Sequence, residues 1–434
     1  MNITIIGIGY VGLANALYLS KHHQIFGYDV DVNRINELQQ GQEFFHETGF
    51  AARLKKNKNH LTFLHDPTKA LQQSQVAILA VSTPEGDQGE PNLSSIHDGF
   101  AKIIKDGKKD ILVIIRSTVP PGTQAKLVIE AKKHKRDDIT IVSIPEFLSL
   151  GQALDDITHP SRVVVGLELE NPSLQAMIHK IFNYPKNVPF LFTTPQSAEL
   201  IKYASNAFLA MKVSFINEMS QIAEVTHANI EDVAKGVALD PRIGESFLKP
   251  GIGFGGSCFP KDLKGLQRIA KDNQIDELMI EATINMNQQQ IFRFMKRVFD
   301  RFQGNIKQKK IAVLGLSYKG STNDVRNSPA FSVIDMLTDQ EAIIFAYDRQ
   351  STFDFFQHRG EKPCLAYAVE IEDALKDADV AIVLNDAPEI KALQAKNFIQ
   401  LMKTPIVFDG RNLYQPSTMK GVEYHSIGRP SSNK

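Results

Sequence analysis

The chain has 434 residues, in which 49 Lys and Arg balance 49 Asp and Glu. That length suits two or three domains of roughly 100–200 residues each. With no net field to draw nucleic acid or an anionic membrane, any anionic ligand must be held by a few local cations. Two distant cysteines, Cys258 and Cys364, and histidines without HExxH or CxxC spacing exclude a disulfide framework and a metal-site signature. No apolar run nears the roughly 18 residues of a membrane-spanning helix, and the first residues lack the basic start of a signal peptide. The expectation is a cytoplasmic, metal-free protein with reduced cysteines and neither nucleic-acid nor membrane partners.

In chain order, ITIIGIG is a short β-branched run followed by helical spacing in VGLANALYLSKH, and HQIFGYD reads as a second strand. VAILAVSTP (76–84), ILVIIRSTVPPG (111–122) and ITIVSIPEF (139–147) continue the series, with helical patterns between them. Continuous apolar strands alternating with helices predict a parallel sheet covered on both faces. From about Gln196, apolar residues including Leu200, Ala204, Ala207, Met211, Phe215 and Ile222 recur at three- and four-residue spacing. This predicts a long helix, with further helical segments to about Phe302. Strand patterns restart near Lys310 and recur at AIIFAYD (342–348), DVAIVLND (379–386) and PIVFDGRN (405–412); the tail GRPSSNK is expected to fray. The predicted architecture is α/β, with two Rossmann-like doubly wound domains joined by a long central helix and a helical middle. Its boundaries fall at 1–195, 196–303 and 304–434. The last domain lacks the glycine fingerprint of the first.

That fingerprint is Gly7-Ile8-Gly9-Tyr10-Val11-Gly12, placed after a strand and opening a helix, with Asp29 closing the next strand. Glycines permit a tight turn, close backbone approach to a pyrophosphate and close helix–strand packing, while the helix N-terminus attracts phosphate charge. Asp29 can accept from a ribose diol and would repel a 2′-phosphate, which predicts NAD rather than NADP. Arg34 is expected to lie along the adenosine as a solvated helix residue. Ser82-Thr83-Pro84 and Ser117-Thr118-Val119-Pro120 follow two later strands, and Glu146 in IPEFL follows another. Ligands of open parallel sheets bind at such carboxyl ends, although Ser, Thr and Pro are also ordinary turn residues. Lys202 and Asn206 share a face of the long helix, either to hold an oxyanion or water or as a solvated stripe.

In KPGIGFGGSCFPKD (249–262) a cysteine stands in the most glycine-dense stretch. Pro260 suits the first position of a helix, so Cys258 would precede a helix N-terminus, where the dipole and Lys261 favour thiolate. The glycines would let a ligand approach, and Asp262 could orient water. A buried, inert cysteine is the alternative. A nicotinamide domain beside a nucleophilic thiol suggests a four-electron oxidation, alcohol to trapped aldehyde to thioester to carboxylate.

With GIGYVGL, STP, STVPPGT, PEFL, HPSRVVVG, AELIKYASNAFLAMKVSFINE, LDPRIG, FLKPGIGFGGSCFPKD and GLSYKGSTNDVRNSPA in this order, the chain closely resembles the UDP-glucose 6-dehydrogenase family of nucleotide-sugar dehydrogenases. The resemblance implies oxidation of a UDP-sugar with NAD. Cys258 would be the nucleophile, Lys202, Asn206 and Asp262 would handle oxyanion and water, and Thr118 and Glu146 would support proton transfer. It implies NAD contacts from Gly7, Gly9, Val11, Gly12, Asp29, Arg34, Thr83, Thr118, Lys261 and Arg326. The sugar nucleotide would meet Glu146, Phe147, Leu148, Leu150, Lys202, Asn206, Phe247, Leu248, Lys249, Gly251, Gly255, Lys319 and Arg411. Arg242 would reach a neighbouring subunit's site, with the long helix forming a homodimer. PEFLSLG departs from the family's usual PEFLREG: Ser149 replaces the arginine and Leu150 the second acid. PEFL and LDPRIG favour a glucose substrate. The alternatives are a UDP-N-acetylhexosamine dehydrogenase, or a sensor that binds without catalysis.

Overall fold

The computed structural model describes residues 1–430 with the exception of 46, 169 and 321. Two compact units emerge, Met1–Ser205 with Lys264–Asn273, and Asn206–Leu263 with the chain from Gln274 onward. Both are α/β.

The first unit is built on an eight-stranded sheet of β1 (Asn2–Ile6), β2 (Gln24–Tyr28), β3 (Leu61–Leu64), β4 (Val76–Leu79), β5 (Leu112–Ile115), β6 (Thr140–Ser143), β7 (Val163–Gly166) and β8 (Phe190–Thr193). Their order is β3-β2-β1-β4-β5-β6-β7-β8. Neighbours are parallel except β6 and β7, which meet antiparallel at Ser143 and Gly166. The two-residue period of the strands divides the core between the faces. Ile3, Ile5, Val76 and Ile78 join one buried cluster, while Ile6, Ala77 and Leu79 join another. A sheet buried on both sides needs the continuous apolar runs seen in the sequence. Chain order reverses between β1 and β4, which opens a crevice at their carboxyl ends.

In the second unit a six-stranded, all-parallel sheet runs β11-β10-β9-β12-β13-β14. Its strands are β9 (Lys310–Leu314), β10 (Ile343–Tyr347), β11 (Leu365–Tyr367), β12 (Val380–Val383), β13 (Ile406–Asp409) and β14 (Glu423–His425). Ile311, Val313, Val380 and Ile382 face one cluster; Ala312, Leu314, Ala381 and Val383 face the other. The same unit contains the helices Ile230–Ala238 and Leu278–Arg301 and most of the long helix Pro195–Thr226.

The expected fraying of the tail does not extend to its first residues. Gly428 N donates to Glu224 Oε1 at 2.9 Å. The buried Arg429 donates to Tyr414 O at 2.7 Å and pairs with Glu231. Acids on two helices hold this end of the chain, and residues 431–434 lie outside the described residues.

Candidate active site

The first unit presents a dinucleotide-type turn. Gly7 N donates to Tyr28 O and Ile8 N to Asp29 Oδ2, each at 2.8 Å, so the turn after β1 is tied to the end of β2. A Cβ on Gly12 would stand 1.8 Å from Gly7 O, whereas one on Gly9 would meet nothing within 4 Å. Gly12 is thus required for helix–turn packing, and Gly9 faces open space. The helix Tyr10–Leu19 has no side-chain cap and no acid in its first turn. Its amide donors and the positive end of its dipole are therefore available to an anion. An uncapped helix start beside an open glycine at the reversal of strand order fits a dinucleotide pyrophosphate. Val11 follows in the first turn.

Arg34 differs from the expected solvated residue. Its Nη1 pairs with Asp29 Oδ2 at 2.9 Å, and its guanidinium lies 4.6 Å from the centre of the Phe44 ring. Asp29 Oδ1 also accepts from Asp31 N at 3.0 Å. These contacts preset the carboxylate that would take ribose hydroxyls.

Beyond β4 and β5, Thr83 Oγ1 donates to Thr118 O at 2.8 Å, and Ser117 Oγ to Val81 O at 2.7 Å, so the two strand-end segments brace each other. Beyond β6, Glu146 Oε1 pairs with Lys202 Nζ at 3.1 Å, and its Oε2 accepts from Leu148 N. Lys202 is 4% exposed and Asn206 6%, which removes the reading of a solvated stripe. A cavity of about 150 Å³ lies here, walled in part by Arg116, Glu146, Phe147, Asp156, Arg162 and Tyr184. Arg162 stacks 3.9 Å from the Phe147 ring centre, and Lys202 stands 5.5 Å from it. Burial pushes the Tyr184 hydroxyl up to about 12, so it remains a neutral donor. Leu148 and Leu150 are part-buried. Between them Ser149 is held from two sides: its N–H donates to Asp156 Oδ2 at 2.7 Å, and its carbonyl accepts from Tyr10 Oη at 2.7 Å.

Cys258 belongs to the second unit. It is exposed and directly precedes the helix Phe259–Asp272, so Pro260 takes the second helical position rather than the first. Cys258 O accepts from Asp262 N at 2.9 Å, closing the first turn. Asp262, 1% exposed, has both oxygens engaged: Oδ2 accepts from Asn206 Nδ2 and Oδ1 from Lys261 Nζ, each at 2.6 Å. Lys261 is thus committed to Asp262. Arg326 forms two 2.8 Å bonds to Asp324 that raise its already high pKa, and its charge also interacts with Cys258.

The glycines of this loop also permit close packing within the chain: a Cβ on Gly255 would lie 2.3 Å from Asn327 O. Gly256 N donates to Arg326 O at 2.8 Å, and Asn327 Nδ2 donates to Gly256 O at 3.1 Å. Three polar side chains that the sequence pattern did not single out hold the loop. Asn217 Oδ1 accepts from Gly251 N at 2.8 Å, and Gln290 donates to Gly251 O at 2.9 Å. Asn287 accepts from Phe254 N at 2.8 Å and donates to Phe254 O at 3.0 Å. Their only sequence signal is an amide at a helix position where packing alone would favour an apolar residue.

Phe247 adopts a positive φ of 66° and its ring lies 5.9 Å from that of Phe259; Leu248 is buried and Lys249 exposed. Arg242 is exposed and pairs with Asp240 at 2.6 Å. Arg411 donates to Leu384 O at 2.7 Å, Gly253 O at 3.3 Å and Tyr318 O at 2.9 Å, so it brackets the loops around part-buried Lys319. The turn after β9 repeats the hook of the first unit. Gly315 N donates to Tyr347 O at 2.8 Å and Leu316 N to Asp348 Oδ2 at 2.9 Å. Among the described residues, no cluster of His, Cys, Asp or Glu is arranged to hold a metal ion, and no helix is long and apolar enough to cross a membrane.

Two doubly wound units, one with a dinucleotide turn and one with a cysteine at a helix start, define the class of NAD-dependent dehydrogenases. The NAD binding domain of the UDP-glucose/GDP-mannose dehydrogenase family matches residues 1–185, its central domain 196–289 and its UDP binding domain 312–416. The chain belongs to that family. It is 39% identical to UDP-glucose 6-dehydrogenase YwqF of Bacillus subtilis (strain 168), covering 99% of this chain and 98% of that protein. It is 36% identical to a UDP-glucose 6-dehydrogenase of Rhizobium meliloti (strain 1021), covering 99% of this chain and 100% of that protein. A solved UDP-glucose dehydrogenase from Pyrobaculum islandicum superposes with a TM-score of 0.89 at 27% identity, covering 98% of this chain and 97% of that one.

Proposed function

We propose that this chain is a cytosolic UDP-glucose 6-dehydrogenase that converts UDP-glucose, two NAD and water to UDP-glucuronate and two NADH. The observation that carries this reading is an exposed Cys258 directly before a helix whose first turn holds the buried Asp262, bonded to Asn206 of the long helix. Full-length likeness to UDP-glucose 6-dehydrogenases supports glucose as the sugar. The family divisions support three functional regions, 1–195, 196–303 and 304–434.

A bound nicotinamide would supply the hydride acceptor at each oxidation. The residues would supply the rest. Gly7, Gly9, Val11 and Gly12 would hold the pyrophosphate, Asp29 and Arg34 the adenosine ribose, and Thr83, Thr118, Lys261 and Arg326 would complete the cofactor contacts. The first oxidation removes from the C6 alcohol a hydride and a proton, the proton going to a base supported by Thr118 and Glu146, and leaves an aldehyde. The Cys258 sulfur adds to the aldehyde carbon, forming a C–S bond, and Lys202 and Asn206 stabilise the oxyanion. Loss of a second hydride from that thiohemiacetal leaves a thioester. Asp262, held at both oxygens, orients water for attack on the thioester carbon; the C–S bond breaks, and carboxylate and thiol leave. Phe147, Leu148, Leu150, Phe247, Leu248, Lys249, Gly251, Gly255, Lys319 and Arg411 are assigned to the sugar nucleotide.

The long helix exposes Phe208, Phe215 and Ile222 at seven-residue spacing. One apolar stripe of this kind supports a homodimer, with Arg242 reaching the partner's substrate.

The test is to incubate purified protein with NAD and a panel of UDP-glucose, UDP-N-acetylglucosamine and UDP-N-acetylmannosamine, counting NADH per sugar consumed. Two NADH per UDP-glucose is expected. A preference for an N-acetylated sugar would overturn the substrate, and tight binding without NADH would make the protein a sensor.

A further inference from the structure

The long helix contains a buried carboxylate that the proposed chemistry does not use. Glu199 is 2% exposed and sits one turn before Lys202. Its Oε2 accepts from Gly122 N at 2.6 Å; its Oε1 accepts from Gln124 N at 2.9 Å and from Ser143 Oγ at 3.0 Å. Gly122 and Gln124 form the start of the helix Thr123–Lys133, directly after the Ser117–Pro121 segment with Thr118. Ser143 closes β6, three residues before Glu146. One carboxylate therefore ties together the three backbone segments that present Thr118, Glu146 and Lys202.

Burial pushes the Glu199 pKa up against the pull of these donors. Placing a carboxylate here is unfavourable unless its bonds are retained. Ser117, Thr118, Ser143, Glu199 and Lys202 also line a cavity of about 10 Å³. That is space for about one water. Glu199 and Lys202 thus border the same small cavity, whose wall Ile115, Val119 and Pro145 complete.

We propose that Glu199 is a positioning residue of the dehydrogenase, setting Lys202 and Thr118 against the reacting C6 group without touching it. The proposal rests on the dehydrogenase reading above. A neutral amide of the same shape must turn an NH₂ toward at least one of the donors now facing Glu199. One anchor is then lost and an amide N–H is left unpaired. A displacement of about 1 Å in such a site can reduce turnover on the order of 100-fold without altering remote binding contacts.

The test is to compare wild type, Glu199→Gln, Lys202→Ala and the double variant for kcat, KM for UDP-glucose, NAD affinity and Tm. Glu199→Gln is expected to lower kcat at least about tenfold with KM and NAD affinity within about threefold. Its effect should largely vanish in the Lys202→Ala background, because residues acting as a unit are non-additive. Ser143→Ala removes a single donor and serves if Glu199→Gln does not fold; a kcat loss of about two- to fivefold, again absent with Lys202→Ala, is expected. Unchanged kcat in a folded Glu199→Gln enzyme, or equal loss with and without Lys202, overturns the proposal. For Ser143→Ala the same two results overturn it. A wild type that makes no NADH from UDP-glucose would instead remove the dehydrogenase reading.

Discussion

Asn206 Nδ2 donates to Asp262 Oδ2 across 2.6 Å, joining the long helix to the first turn of the helix that Cys258 precedes. The other Asp262 oxygen takes the Lys261 ammonium. An amide at 262 could not accept at both oxygens, so Asp262→Asn breaks one bond and removes the charge proposed to orient water. In the proposed mechanism hydrolysis is the step that needs this water, and both hydride transfers precede it. Rapid-mixing experiments on Asp262→Asn should show a burst of about two NADH per active subunit, then turnover slowed at least about 100-fold. A single NADH in the burst would move Asp262 to an earlier step.

Cys258→Ser keeps the size of the side chain and leaves the loop contacts through Gly255, Gly256 and Asn327 in place. A hydroxyl is a far weaker nucleophile than a thiolate. Steady-state oxidation should fall by on the order of 1,000-fold or more, while NAD and UDP-glucose affinities, read by calorimetry, stay within about threefold. Near-normal turnover would take Cys258 out of the mechanism.

Lys202 and Glu146 are both almost fully buried, and their charges lie 3.1 Å apart. Removing one member of a buried pair leaves the other desolvated, at a cost of about 3–5 kcal/mol. Lys202→Met should therefore lower stability in urea unfolding by that order in addition to lowering kcat to a small but measurable residue of the wild-type value. The double variant Lys202→Met with Glu146→Gln should recover part of the stability without raising kcat above that of the single variant. If the single variant unfolds like wild type, the ion pair does not brace this region.

The strands readable in advance are those buried on both faces. Val76–Leu79 and Leu112–Ile115 are buried at every position, and their sequences are continuous apolar runs. β3 at one edge of the first sheet has only Phe63 buried, and β11 and β14 are three residues long at the two edges of the second. Edge strands this short produce no periodicity to detect. The settings of Cys258 and the GxGxxG turn were legible because they are local: a thiol before a helix with proline in its first turn, and glycines between a strand and a helix. The ion pairs were not. Glu146 and Lys202, like Asn206 and Asp262, meet only after the chain has crossed between elements. Glu199, Asn217 and Gln290 sit within helical apolar spacing, where a polar residue reads as surface. Their buried bonds to backbone segments become visible only in three dimensions.

Glu423 on β14 pairs with Arg301 at the end of the helix Leu278–Arg301. The Arg301 guanidinium, helped by a hydrogen bond with His425, outweighs burial and holds the Glu423 carboxyl at about 2, below its ordinary 4.5. A carboxyl depressed in the folded state binds its proton less readily there than in the unfolded chain. The pair's stabilisation is therefore complete above about pH 5 and is lost as pH falls toward 2. Glu423→Gln should cost about 1 kcal/mol at pH 7, given the partial exposure of both groups. It should also make the fall in Tm between about pH 5 and 3 shallower than in wild type. Parallel Tm-versus-pH curves would show that this pair does not contribute to acid sensitivity.

Phe215 lies midway along the apolar stripe of the long helix, seven residues from both Phe208 and Ile222, and all three are about half exposed. A stripe with this spacing keeps one face toward a partner helix over four turns. Burying a phenyl ring at the centre of an interface stabilises it by about 1.5–3 kcal/mol, and a carboxylate in its place would be desolvated without a partner. Phe215→Glu is thus expected to shift sedimentation equilibrium from dimer to monomer while leaving circular dichroism unchanged. Because Arg242 is assigned to the partner's substrate, the monomer should also show a raised KM for UDP-glucose, with NAD affinity retained. A Phe215→Glu protein that sediments as wild type would place any dimer interface elsewhere on the chain.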